Sequence, residues 1–166
     1  LSVGLIPENE LSRMAGVALD PLTGGPVVNQ WRETTVSGIF AGGNVVHVHD
    51  LVDNVSWEAE IAGASAARFA RKEEMGKEKK ILKPGRNIRY IVPQSISAQH
   101  DVTLYARVKD MEENVTLKVG DIFSESLRVV KPGEMLKINL SHSQLRQLKD
   151  DGVELSIEGS KRRQNG

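Results

Sequence analysis

The stretch from residue 34 to residue 54, TTVSGIFAGGNVVHVHDLVDN, holds the densest set of side chains that could do chemistry. Within it His47, His49, Asp50 and Asp53 offer the donor atoms that zinc and iron use. Valines and leucines alternate with these four, and no further His, Asp or Glu lies at clear ligand spacing. We therefore predict no metal site and expect a polar loop whose imidazoles face solvent or a neighbouring domain; a metal-dependent hydrolase around His47 and His49 is kept as a third alternative.

The glycines of this stretch indicate a ligand contact rather than a complete phosphate site. Gly38, Gly42 and Gly43 do not form G-x-G-x-x-G, and no phosphate-binding P-loop pattern follows a strand. The run SGIFAGGN predicts a buried parallel strand, and the pattern after it predicts a helix from about Val55 to about Glu74. Because open α/β sheets bind ligands where a strand ends beside a helix N-terminus, we expect a ligand at this point.

The predicted helix has a signature of close packing. Asp53 or Asn54 can cap its N-terminus. Its apolar face is rich in small residues, which let a helix approach a sheet or a flat ligand closely: Ala59, Ala62, Gly63 and Ala66.

The chain divides into two parts with different patterns, and we predict an α+β protein. Residues 1–75 indicate a partial α/β domain, and residues 76–86 are charged and predict a linker. From residue 87 the apolar residues recur with period two, which predicts a small antiparallel β-sandwich over 87–160. Residues 161–166 predict a disordered tail.

The β half contains one predicted helical interruption. The strand patterns are NIRYIV, VTLYARV, VTLKV, SLRVV, LKINL and VELSIE, and turn residues separate them. Between the last two, Ser141 and Gln144 match a capping box, and Gly152 is expected to end the helix.

Composition excludes several classes of function. Lys and Arg together number 22, as do Asp and Glu, so no net charge attracts nucleic acid or an anionic membrane. No apolar run reaches the roughly 20 residues of a membrane span. There is no cysteine, which excludes a thiol nucleophile or a disulfide within these residues. We expect a cytoplasmic fragment of a longer protein, because the chain opens on an apolar strand-like segment without Met.

Residues 1 to about 70 resemble a known family. The segments LSVGLIPENEL, GVALDP, GGPVVNQWRETTVSGIFAGGNV and NVSWEAEIAGASAARFA are similar to the C-terminal part of FAD-dependent pyridine nucleotide-disulfide oxidoreductases, close to thioredoxin reductases. The most specific element is the pattern T-x-x-x-G-I-F-A-x-G at residues 34–43. The resemblance covers a little under half of the chain.

The resemblance implies five cofactor-binding residues. Gly43 and Asn44 align with the family's Gly-Asp pair, in which the Asp accepts a hydrogen bond from a ribityl hydroxyl of FAD. The Asn44 amide oxygen would accept the same bond about 1 kcal/mol more weakly, because it is neutral. Ser56, Trp57 and Glu58 match the helix start whose backbone N–H groups face the flavin, where the helix dipole stabilises the negative charge of the reduced ring.

The implied function is that of an enzyme of which this chain is one part. The whole polypeptide would be an FAD- and NAD(P)-dependent oxidoreductase, with NAD(P) bound by an upstream domain. This chain would close the FAD site, would contribute no catalytic residue, and would be inactive alone. The alternative is a non-catalytic interaction or oligomerisation module, in which the β-domain binds a second copy or a partner subunit.

Overall fold

The computed structural model describes residues 5–76, 79–149 and 152–159, which form two compact units of α+β class. Unit 1 comprises the described residues up to Lys79 together with Val92–Ser97. Unit 2 comprises Lys80–Ile91 and the described residues from Ala98 onward. The predicted tail, residues 161–166, lies outside the described residues.

The helices and strands follow one another in an order that separates the two units. Unit 1 contains helix α1, a short 3-10 helix, helix α2 and the short strand β3, and unit 2 contains the remaining elements. In chain order the elements are α1 (Glu10–Met14), the 3-10 helix (Gly43–Val45), α2 (Val52–Ala70), β1 (Lys80–Pro84), β2 (Ile88–Val92), β3 (Ser95–Ile96), β4 (Val102–Val108), β5 (Glu112–Val119), β6 (Phe123–Val130), β7 (Leu136–Leu140), α3 (His142–Leu145) and β8 (Gly152–Gly159).

The boundary between the units differs from the predicted one in two places. Residues 80–84 fall in the predicted linker, yet they form β1 and pair with β8. Residues 92–97 fall in the predicted β-domain, yet they belong to unit 1. Hydrogen bonds explain the second difference, because Gln94 exchanges two bonds with the backbone of Val28 and the Ser97 N–H donates to Gln30 Oε1 at 2.5 Å.

The predicted buried strand SGIFAGGN is wrong. Only Phe40 takes part in a bridge, which is antiparallel to Glu33 and isolated. The backbone turns instead: Gly38 has φ +82°, and the Thr34 N–H bonds to the Ile39 carbonyl at 2.8 Å. Within the described residues no strand runs beside this segment, so its backbone bonds are made locally in a turn.

Helix α2 begins and ends earlier than predicted. It starts at Val52 with Leu51 as N-cap, and no side chain caps it. Asp53, one of the two predicted caps, therefore lies inside the first turn. The helix ends at Ala70, and Lys72 then takes a left-handed conformation with φ +59°. Among the helices of the described residues, none combines the length and apolar character needed to cross a membrane.

Unit 2 confirms the period-two strand predictions. Its larger sheet has the strand order β1-β8-β5-β6, in which β5 is antiparallel to β6 and β8. Strand β1 is parallel to β8, with Leu82 opposite Val153, so this sheet is mixed rather than purely antiparallel. The smaller sheet has the order β2-β4-β7, and β4 and β7 are antiparallel.

The core of unit 2 is built from the residues that alternate along these strands. Leu104, Leu117, Leu155 and Ile157 are each at most 1% exposed. The capping box of α3 is confirmed: Ser141 and Gln144 exchange both side-chain-to-backbone bonds. Gly152 does not end this helix, however, but begins β8.

Truncation of a core residue should destabilise unit 2 strongly. Leu155→Ala removes a fully buried side chain from a strand between two neighbours, so we expect a loss of about 2–5 kcal/mol in the free energy of unfolding. Urea unfolding followed by far-UV circular dichroism measures this loss. Met111→Ala is the control, because Met111 is 56% exposed and should change stability by about 0.5 kcal/mol or less. Similar losses in both variants would contradict this description of the core.

Candidate functional site

The side chain of Glu58 lies at the centre of a buried polar cluster in unit 1. Its carboxylate accepts a hydrogen bond from the Gly43 backbone N–H at 2.8 Å and lies 3.0 Å from His49 Nε2. His47 Nε2 is 3.4 Å from the other carboxylate oxygen, and Arg32 Nε forms an ion pair with that oxygen at 2.9 Å. We call these five residues the Glu58 cluster.

The loop between Gly42 and His49 brings the two histidines to Glu58. Gly43 has φ +75°, which favours glycine, and begins the 3-10 helix. A side chain at Gly42 would stand 2.7 Å from the Glu58 carbonyl oxygen, so the loop backbone lies directly against α2. Across the loop, the His49 N–H donates to Asn44 Oδ1 at 3.1 Å. These contacts fix the loop so that both imidazoles point to the carboxylate.

Arg32 reaches the cluster from a tight turn. Its N–H bonds to the Asn29 carbonyl at 2.8 Å, and its own carbonyl accepts from the Ala41 N–H at 2.9 Å. Its φ of +63° is left-handed, a conformation that costs a residue with a side chain about 1–2 kcal/mol. The surrounding hydrogen bonds and the ion pair with Glu58 hold Arg32 in this conformation.

The charges of the cluster balance when both histidines are neutral. A carboxylate only accepts hydrogen bonds and has about four lone-pair positions, and three N–H groups and one guanidinium surround this one. Each imidazole therefore carries its proton on Nε2. The negative charge of Glu58 and the positive charge of Arg32 then cancel in a site where both side chains are at most 1% exposed.

Burial and hydrogen bonding move two pKa values in the cluster. Burial lowers the pKa of His47, and the positive charge of Arg32 lowers it further, although the hydrogen bond and the negative charge of Glu58 oppose the shift. Burial alone would raise the pKa of Glu58. The hydrogen bonds from His47 and His49 and the charge of Arg32 outweigh burial and hold that pKa well below its usual range.

The donor atoms of the cluster resemble a metal site, and charge argues against one. The ligand atoms of His47, His49 and Glu58 lie within 4.8 Å of one another, and two imidazoles with a carboxylate suit zinc. Arg32, however, already neutralises the carboxylate. A divalent cation would leave two uncompensated positive charges in a fully buried site, which is costly. Arg32 is thus the cation of this site.

The structure separates the five predicted cofactor-binding residues into two groups. Gly43 and Glu58 are buried and hydrogen-bonded to each other, so they hold the loop on the helix. Asn44 is half-buried, and Ser56 and Trp57 are exposed on α2. Since α2 begins at Val52, these last two lie beyond its first turn, and the proposed helix start is displaced by about four residues.

Sequence reasoning missed how the cluster is assembled. It predicted imidazoles facing solvent or a neighbouring domain, whereas His47 and His49 are 1% and 7% exposed and face the interior of unit 1. Asp50 and Asp53, the other two candidates, are exposed. A signal was available in Glu58, a charged residue on the helix face that also carries Ala62. Arg32 gave no such signal, because it lies far from the histidines in the sequence.

Comparisons with known proteins give no relative for this chain. No model of a protein family matches the sequence, and no curated protein and no solved structure matches it either. The resemblance to flavin-dependent oxidoreductases therefore stays a prediction.

Neutralising Glu58 should destabilise unit 1. Glu58→Gln keeps the shape but leaves the charge of Arg32 buried and uncompensated, so we expect a loss of about 3–5 kcal/mol in the free energy of unfolding. Both tryptophans, Trp31 and Trp57, lie in unit 1, so tryptophan fluorescence during urea unfolding reports on this unit. Glu60→Gln on the exposed side of the same helix is the matched control and should be nearly neutral. Equal effects of the two substitutions would contradict the role of the cluster.

Unit 1 should lose stability as the pH falls. Because the pKa of His47 is lowered from 6.5, the unfolded chain binds a proton at a higher pH than the folded one. Stability therefore decreases below about pH 6.5, by up to about 1.4 kcal/mol per pH unit for one proton. The lowered pKa of Glu58 adds a second loss below pH 4.5.

Fluorescence-monitored urea unfolding between pH 7.5 and pH 5 tests the contribution of His47. In His47→Gln the free energy of unfolding should depend less steeply on pH. His100 is an exposed histidine in unit 2, and His100→Gln should retain the wild-type slope. A wild-type stability that is constant over this range would refute the assignment of a neutral, buried His47.

Proposed function

We propose that this chain closes the FAD site of an FAD- and NAD(P)-dependent oxidoreductase and has an accessory β-domain in unit 2. Asn44, Ser56 and Trp57 would lie at the flavin, and Gly43 and Glu58 would position the loop that carries Asn44. The chain would be inactive alone and would act in the cytoplasm. No catalytic residue is assigned within it.

The observation that carries this proposal is the exposed apolar surface of unit 1. The described residues include eleven exposed large apolar side chains, and nine of these lie in unit 1. They also include 26 buried apolar side chains, and only six of these lie in unit 1. The nine exposed residues are Leu5, Ile6, Leu11, Met14, Leu22, Leu51, Val52, Trp57 and Phe69. Unit 1 thus exposes more large apolar side chains than it buries, which supports a unit that packs against further protein or a ligand.

Helix α2 also buries few apolar residues. Its buried residues are Glu58, Ala62 and Ser65, two of which are polar. The small residues Ala59 and Gly63, which were predicted to pack, are exposed, and a side chain at Gly63 would meet no atom within 4 Å. One face of α2 is therefore used for the Glu58 cluster, and a second face with small residues is open to a neighbour. The FAD domain implied by the resemblance would supply that neighbour.

The residues at the N-terminal end of α2 offer groups that suit the flavin ring of FAD. Leu51 and Val52 are 63% and 74% exposed, so the positive end of the helix dipole is accessible to an electron-rich group. Trp57 is 40% exposed and offers an aromatic surface on the same helix. Asn44 adds a polar amide at the neighbouring loop. The chemistry that FAD supplies when bound is the acceptance of a hydride from a reduced nicotinamide.

Flavin binding by the natural polypeptide that carries this sequence tests the proposal. We expect the purified protein to show flavin absorbance, and added FAD to raise its unfolding temperature. Ligand at 100 times its dissociation constant adds about 2.7 kcal/mol of stability, which thermal unfolding readily detects. The isolated 166-residue chain is the control and should retain no flavin. A folded, colourless protein that rejects FAD and forms a stable dimer or partner complex would instead favour the interaction module.

A further inference from the structure

We propose that Asn44 contacts the ligand as a hydrogen-bond donor, through its Nδ2 group, and not as the acceptor that the family resemblance implies. The inference rests on the proposed function, because it concerns the same flavin site. It defines the complementary group on the ligand, which must offer an acceptor oxygen to this residue.

The orientation of the Asn44 amide follows from the contact with His49. The backbone N–H of His49 points at the side chain of Asn44, with 3.1 Å between N and Oδ1. A backbone N–H can only donate, so the atom that faces it has to be the amide oxygen. With the amide turned by 180°, two donors would face each other, and the half-buried N–H of His49 would lose its acceptor.

The position of His49 is itself fixed by the Glu58 cluster. The ring of His49 lies against the carboxylate at 3.0 Å, and its side chain is fully buried. The neighbouring Gly43 N–H is bound to the same carboxylate oxygen. Rotation of the Asn44 amide therefore cannot be accommodated by a shift of the loop without breaking these contacts. The cluster orients Asn44 although it does not touch the ligand.

The other end of the Asn44 amide is available. Among the described residues, Asn44 Nδ2 donates no hydrogen bond. It is also not one of the fully buried polar atoms. An amide nitrogen of this kind is accessible and carries two N–H donors. The partner that such a donor selects is an oxygen that can only accept, such as a phosphate oxygen of FAD, because a hydroxyl could turn its own O–H toward an acceptor at this position. An Asp at this position would place a negatively charged acceptor where Asn44 presents a donor.

The substitution Asn44→Asp distinguishes the two roles by the sign of its effect on FAD affinity. The Asp keeps an acceptor for the His49 N–H, so the unfolding temperature of the FAD-free protein should not change. If Asn44 donates, the variant loses the donor and repels the acceptor oxygen, and we expect FAD to bind about tenfold more weakly or worse. If Asn44 accepts, the charged variant should bind FAD more tightly.

Isothermal titration of the natural polypeptide with FAD, after removal of bound flavin, measures these affinities. Asn114→Asp is the charge control, because it adds the same charge at an exposed position of unit 2 and should leave FAD affinity unchanged. Asn44→Ala, which lacks donor and acceptor, should also weaken binding. Unchanged or tighter binding in Asn44→Asp, or unchanged binding in Asn44→Ala, would overturn the inference. A wild-type protein that binds no FAD would overturn the proposed function and this inference together.

Discussion

The buried carboxylate of Glu58 is the constraint on which the organisation of unit 1 depends. A charged group without access to water has to find its compensation inside the protein, and two separate segments provide it, the turn at Arg32 and the loop from Gly42 to His49. Apolar packing contributes little to joining these residues, which are the turn at Arg32, Gly43 and the two histidines. They are held together because each supplies a positive charge or an N–H group to the same two oxygen atoms.

This arrangement replaces the apolar core that a domain of ordinary composition would have. Unit 1 buries few large apolar side chains, and its long helix turns a carboxylate inward. Such a polar centre requires specific directions and distances, whereas an apolar contact tolerates small displacements. The loop that carries Asn44 is therefore placed accurately by hydrogen bonds, which would suit the ligand contact proposed for it. The exposed apolar residues on the outside then remain available for further contacts.

Sequence reasoning succeeded for unit 2 and only partly for unit 1, and the difference is physical. In strands such as Val102–Val108, period-two alternation and nearby turn residues determine the local structure, so a short window is sufficient. The capping box at Ser141 is equally local. The parallel partner of β1 is more than 60 positions away and has no local signature. SGIFAGGN has the composition of a buried strand, but the turn at Gly38 gives its backbone local partners instead. The Glu58 cluster joins residues 26 positions apart, and only the three-dimensional structure reveals that they meet.

The position of β8 determines when the strands of the larger sheet can pair during synthesis. Strand β8 lies between β1 and β5, although it is the last of the described strands to be synthesised. A ribosome would release β1, β5 and β6 before the strand that joins them exists. The larger sheet of unit 2 can therefore close only after residues up to Gly159 have emerged, and until then β1 and β5 each have an unpaired edge.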